Sequence, residues 1–136
     1  MIRDCRKYEL EEVLQYVVPD ARKNRLKERR DFDGDMVKVS SDRLYTFQQS
    51  HVCYKCGIAG EFFVKEKHSP KDVSFHMNLY AIDVNGEELL MTKDHIIPRS
   101  MGGKNHPNNY QTMCVRCNIE KGNGVQRGTY LTKREG

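Results

Sequence analysis

Four of the five cysteines in this 136-residue chain stand in two C-x-x-C pairs, Cys53–Cys56 and Cys114–Cys117. Two intervening residues let both sulfurs of a pair turn toward one point. Two such pairs supply the four thiolates of a tetrahedral ion site. A thioredoxin-like redox pair would need a βαβ context, and none is evident. The N-terminus, Met1-Ile2-Arg3-Asp4-Cys5, is charged and lacks the apolar stretch of a secretory signal. No apolar run is long enough to span a membrane. The chain therefore reads as intracellular and cytoplasmic, where thiols stay reduced and paired cysteines point to structural zinc rather than disulfides. Gly57, after the first pair, lets backbone amides turn toward the sulfurs. Cys5 is left over and reads as a free thiol near a frayed end.

A zinc staple suits the rest of the composition. Apolar residues make up 38% of the chain and there is no Trp, so the core is thin, and small domains of that kind often lean on a metal. The fold class expected is α+β, divided into a helical N-terminal arm over 1–35 and a zinc-knuckle domain over 36–136. Leu10, Val13, Leu14, Val17 and Val18 recur at helical spacing, and Pro19 ends that helix or starts another. The basic run Arg22 to Arg30 reads as a second helix. Asp31, Asp33 and Asp35 flank Gly34 in an acidic turn. An EF-hand loop would put the glycine elsewhere and a Glu where Asp42 stands. Arg43–Gln49 suits a short helix, Phe62–Val64 a strand, and Val73–Val84 a strand leading to Asn85-Gly86, a strong hairpin signal. Glu87–Thr92 is the returning strand. Pro98–Asn108 reads as loop, and a short helix after the second cysteine pair should end at Gly122 or Gly124.

The formal net charge is +4. From Asp94 onward seven Lys and Arg face three Asp and Glu, so this stretch carries the whole excess. Clustered positive charge is what a phosphate backbone attracts, although on charge alone a solvated helix face is the better account.

The densest chemistry lies in Asp94-His95-Ile96-Ile97-Pro98, Gly102-Gly103, Asn109-Tyr110-Gln111 and Cys114-Val115-Arg116-Cys117-Asn118-Ile119-Glu120-Lys121. If Asp94 and His95 end the hairpin strand, their side chains leave on opposite faces. Their order and spacing, D-H-I-x-P, G-G, N-x-Q, C-x-x-C-N and a lysine three residues on, resemble the HNH (ββα-metal) endonucleases over about Cys53 to Gly124. That resemblance implies a ββα-metal domain that hydrolyses DNA. Asp94 and Asn118 would hold a catalytic divalent ion, His95 would be the general base, and Asn109 would brace the loop and the His95 backbone. Lys121, Arg99, Lys104 and Arg116 would contact nucleic acid. Asn118 stands where many members carry histidine, which favours a hard ion, Mg²⁺ or Mn²⁺. Water would attack in line to leave a 5′-phosphate and a 3′-hydroxyl. Free-standing chains of this size resemble phage-encoded or mobile-element members, which would act in the host cytoplasm.

A lone Asp-His pair is usually hydrogen-bonding decoration, and Asn109 alone could be a turn residue. The combination is what carries chemistry. The competing class is a zinc-stabilised nucleic-acid-binding module without catalysis, which has no reason to keep Asp94, His95 and Asn118 together. A protein-interaction zinc domain is disfavoured by the positive C-terminal half. RNA as substrate stays open, as do nicking and duplex cutting. One active site cuts one strand, so a homodimer is one route to a double-strand break. His106 reads as a surface loop residue. His76, Asn78 and Tyr80 alternate on one strand face, either lining a nucleic-acid groove or forming a half-polar outer face.

Overall fold

The computed structural model describes residues 1–18 and 28–126, with side chains as far as Gly122. Among these residues, seven strands and three helices are seen in the order β1 (Ile2–Tyr8), α1 (Leu10–Leu14), β2 (Arg29–Phe32), β3 (Asp35–Lys38), α2 (Asp42–Gln49), β4 (Phe62–Lys67), β5 (His76–Ile82), β6 (Glu88–His95), β7 (Tyr110–Cys114) and α3 (Val115–Gln126). Five strands form one antiparallel sheet in the order β1-β4-β5-β6-β7, and β2 and β3 pair separately. The α+β class expected from the sequence is the one observed.

The N-terminal region differs from the helical arm expected for it. Residues 2–8 form a strand whose partners lie on β4, with Ile2 opposite Lys67 and Tyr8 opposite Phe63. Among the described residues there, only Leu10–Leu14 is helical, started by a reciprocal capping box between Glu9 and Glu12. Arg29 and Arg30 belong to β2, not to a helix, and the rest of the basic run, Arg22–Lys27, lies outside the described residues. The acidic segment is the β2–β3 hairpin turn, where Asp33 and Gly34 both take positive φ, as a type I′ turn demands. Its carboxylates are spent on the protein. Asp33 accepts from Arg6 and Tyr8, and Asp35 pairs with Lys65 at 2.7 Å. Tyr8, Val13 and Phe32 are buried in the same core cluster as Phe63 and Leu79, so packing runs across position 35.

That core lies between one face of the sheet and α1 and α2, with Leu44, Phe47, Phe63, Met77, Leu79 and Met91 almost fully buried. α2 begins where Ser41 Oγ accepts from the Leu44 amide at 3.1 Å. Gln48 ties α2 to the Leu14 carbonyl at 2.8 Å. The Asn85-Gly86 hairpin joins β5 to β6 as read from the sequence, and Asp83 Oδ1 accepts from the amides of Asn85 and Glu87. β6 runs three residues past Thr92 because it changes partner. It pairs with β5 only from Glu88 to Leu90, then with β7 from Met91 to His95. α3 starts within the second cysteine pair and continues through both Gly122 and Gly124, which were expected to end it. Among the described residues no helix is long and apolar enough to cross a membrane.

Candidate active site and metal centre

The two cysteine pairs come together from distant parts of the sequence. Cys53 and Cys56 lie on a tight turn closed by the Cys53 amide on the Ile58 carbonyl at 2.8 Å. Cys114 ends β7, and Cys117 sits in the first turn of α3. The turn is fastened to β7 by the Tyr54 amide on the Thr112 carbonyl, 2.9 Å, and by Thr112 Oγ1 on the Ser50 carbonyl, 2.5 Å. All four sulfurs lie within 4.8 Å of one another, and none is in a disulfide. Cys56 and Cys114 sulfurs stand 3.9 Å apart, close to the roughly 3.8 Å edge of a tetrahedron with Zn–S bonds of about 2.3 Å. In each pair the second amide points at the first sulfur at 3.4 Å. Burial would push the Cys53 thiol up, but amides directed at its sulfur outweigh that and bring it to about 7. Burial and the neighbouring sulfurs push Cys117 up. The residues present fit a four-thiolate metal site.

About 20 residues of loop and strand separate that centre from the Asp-His pair in sequence, but β7 brings them side by side. Asp94 and His95 are the last two residues of β6, opposite Gln111 and Tyr110. Their side chains leave on opposite faces, as strand geometry requires. On one face Asp94 Oδ2 accepts from Gln111 Nε2 at 3.0 Å and from Lys121 Nζ at 2.5 Å. Lys121 Nζ also donates to the His95 carbonyl at 2.6 Å. The Lys121 and Asp94 side chains are only 9% and 11% exposed, so this pairing is largely withdrawn from water and stronger than a surface ion pair. Asn118, one turn earlier on α3, lies on the same face and donates to Thr92 Oγ1 at 2.9 Å. These groups offer hard oxygen donors around a place that already accepts positive charge, the Lys121 ammonium. That donor chemistry fits an ion such as Mg²⁺.

On the other face the His95 ring meets Asn105 Oδ1 through Nε2 at 2.8 Å and stands edge-on to Tyr110, 5.1 Å between centroids. With Nε2–H donating to that oxygen, Nδ1 carries the lone pair. The intervening loop has no buried residue between Ile96 and Asn109. Polar contacts shape it instead. Asn109 Oδ1 accepts from the Ile97 amide at 2.9 Å, its Nδ2 donates to the carbonyls of Ile97 and Lys104, and its own carbonyl accepts from Ile96. Asn109 thus braces the residues just after His95, while Lys121 holds the His95 carbonyl. Gly103 is required because a Cβ there would lie 1.7 Å from the Ile97 carbonyl oxygen. Two short 3-10 turns, Arg99–Met101 and Pro107–Asn109, complete the loop, and His106 Nδ1 caps the second by accepting from the Asn108 amide.

The remaining basic residues divide. Arg99 and Lys104 are exposed on this loop beside His95. Arg116 is instead drawn by Asp83 to the β5–β6 turn, 3.1 Å, away from the end of β6 that carries His95. Lys121 is turned inward onto Asp94. Sequence reasoning gave no role to Asn105, Gln111, Thr92 or Tyr110. The N-x-Q motif was the available signal for Gln111, since pairing β7 with β6 sets it opposite Asp94.

Residues 83–129 match the family model described as HNH endonuclease. This segment holds Asp94, His95, Asn109, the second cysteine pair and Asn118, so the chain carries an HNH endonuclease domain, and nuclease function in general is supported. No curated protein and no solved structure matches the chain.

Proposed function

We propose that this protein is a metal-dependent HNH endonuclease that hydrolyses phosphodiester bonds in DNA, with zinc in its four-cysteine centre. The observation that carries the reading is the end of β6. There a carboxylate and an imidazole occupy opposite faces, each gripped by its own partners, next to a helix that begins at the metal centre. Asp94 and Asn118 would hold a single Mg²⁺ or Mn²⁺. When bound, that ion supplies positive charge to the phosphate and to the leaving 3′ oxygen. His95 takes the proton from the attacking water at Nδ1, while Asn105 fixes the tautomer and Tyr110 limits the tilt of the ring. Asn109 keeps the loop from swinging into the place of the scissile phosphate. Arg99 and Lys104 attract the strand. The zinc centre fixes the start of α3, and so fixes where Asn118 and Lys121 stand. In-line attack gives a 5′-phosphate and a 3′-hydroxyl.

Supercoiled plasmid incubated with the protein and Mg²⁺ or Mn²⁺ should convert to open-circle or linear DNA, and EDTA should stop it. His95→Ala should lose about 10²–10⁴-fold in rate with DNA binding and bound zinc retained. Undiminished cutting by His95→Ala would sink the mechanism. An intact plasmid, with branched DNA and RNA also uncut, would leave a binding module.

A further inference from the structure

β6 parts from β5 after Leu90 to join β7, and the split opens a cavity. Continued in register, the β5–β6 ladder would set Asn78 against Thr92 and His76 against Asp94, but neither pair forms. The gap is a cavity of about 400 Å³ lined by Arg43, Lys67, His68, His76 and Lys93 among others, with Glu66 as its only carboxylate. That carboxylate is already saturated. Glu66 Oε1 accepts from Asn78 at 2.7 Å and Tyr80 at 2.6 Å, and Oε2 from Arg3 at 2.8 Å.

Arg43 reaches into the split from α2. One of its five N–H donors meets the Met77 carbonyl at 2.7 Å, and its guanidinium lies 5.6 Å from the Phe47 ring centroid. The described residues give it no other hydrogen bond and no carboxylate. A crowded guanidinium with most donors unspent is costly unless an anion meets it. Burial pulls its pKa down, and burial and then the Arg43 charge hold His76 low. The contrast with Lys65 is direct, since that buried ammonium has Asp35, Asp4 and the Phe32 carbonyl within 3.2 Å.

We propose that the split between β5 and β6 is a phosphate site, with Arg43 as its deep donor and Lys67 and Lys93 at its walls, and that it takes a backbone phosphate of the strand being cut. A guanidinium and an ammonium pair are the groups that hold a phosphate oxyanion. Thr92 lines the cavity and stands two residues before Asp94, about 7 Å of strand and roughly two base-pair rises of duplex. The site is thus spaced to grip the backbone a step or two from the scissile bond. The identity of the strand rests on the nuclease reading; the anion site does not.

Anisotropy of a labelled DNA duplex with full-length, zinc-loaded protein, without Mg²⁺ and across a salt series, tests this apart from cleavage. Lys67→Gln and Arg43→Gln should each weaken binding several-fold and lower the salt slope by about one. Lys7→Gln, an equal charge loss on β1, should leave the slope alone. Lys67 is partly exposed, so that variant reads out even if Arg43→Gln fails to fold. Wild-type affinity and slope in folded Lys67→Gln, or an equal loss in Lys7→Gln, would overturn the site. Inorganic phosphate should shift the Arg43 side-chain NMR signals and compete with the duplex. Phosphate binding without competition would assign the site to free phosphate and overturn its role toward the strand. Failure to cut plasmid, branched DNA and RNA with these binding effects intact would sink the nuclease reading and leave the phosphate site standing.

Discussion

Strands β1, β4 and β5 and the segment from β6 through α3 share one sheet yet are fastened by different means. The first region is held by side chains that exclude water, with Phe63, Met77 and Leu79 wholly buried against Phe47 and Leu44. Two of its charged groups are internal ties, Lys65 with Asp35 and Glu66 with Arg3. The second buries Met91 and Met113 but little between Ile96 and Asn109. Its shape comes from four sulfurs, the Asn109 amide and the Lys121 ammonium. The difference has a chemical reason. Groups that must meet an anionic polymer cannot be covered by a core, so they are positioned by metal and hydrogen bonds, which hold geometry without needing burial.

The strongest way to break this comparison is to strip the metal. Structural zinc bound to peptides contributes on the order of 10 kcal/mol or more at neutral pH. Chelation, or Cys114→Ser, should therefore abolish amide-exchange protection through Tyr110–Cys114 and α3. Protection in Phe62–Lys67 should fall much less, because that strand carries no metal ligand and is paired on both sides, by β1 and by β5. Simultaneous loss in both regions at one chelator concentration would mean a single cooperative unit, and the comparison would fail.

The same contrast explains what could be read from the sequence. Knuckles, the Asp94-His95 pair and the Asn85-Gly86 turn are local patterns, and each was legible where it stands. β1 was not. Its residues alternate without an apolar face, in the pattern Ile-Arg-Asp-Cys-Arg-Lys-Tyr, and only pairing to β4 more than 50 residues away makes them a strand. Lys65-Glu66-Lys67 looks like solvated charge, yet Lys65 and Glu66 are 1% and 3% exposed. Their burial depends on partners at Asp4, Asp35, Arg3 and Asn78 that no local pattern supplies. Asn105 likewise has a role only because the loop folds back onto His95. The helix end was misread at Gly122 and Gly124 because intrinsic propensity is weak beside the anchors at Cys117 and Lys121.

Glu66 offers a smaller and sharper test on the core side. Burial works to raise its pKa, but hydrogen bonds from Asn78 and Tyr80 and the bond and charge of Arg3 outweigh it, so the folded value lies below the ordinary one. A lowered folded pKa stabilises above the unfolded value, about 4.3 for Glu, and that contribution is lost as pH falls through the folded value. Glu66→Gln should therefore cost about 1–3 kcal/mol at pH 7, and the gap between variant and wild type should close as the pH drops below about 4. Metal loss in acid affects both proteins and subtracts out. A gap that persists unchanged at pH 3 would mean that shape, rather than charge, is what Glu66 contributes.

Gly122 tests the other side at the smallest scale. It lies inside α3 immediately after Lys121, and a Cβ there would meet nothing within 4 Å. Alanine loses less backbone freedom on forming helix, so Gly122→Ala should stabilise by about 0.5–1 kcal/mol, a rise of a few degrees in Tm. If α3 is held only by its metal and Lys121 anchors, nothing in the free protein opposes the gain. DNA affinity then decides why glycine stands there. Unchanged binding would make Gly122 a tolerated weakness in a helix whose anchors suffice. A higher Tm with weaker binding would mean that the bare backbone beside Lys121 is kept open for the close approach of a phosphate, and that helix stability has been given up there for access.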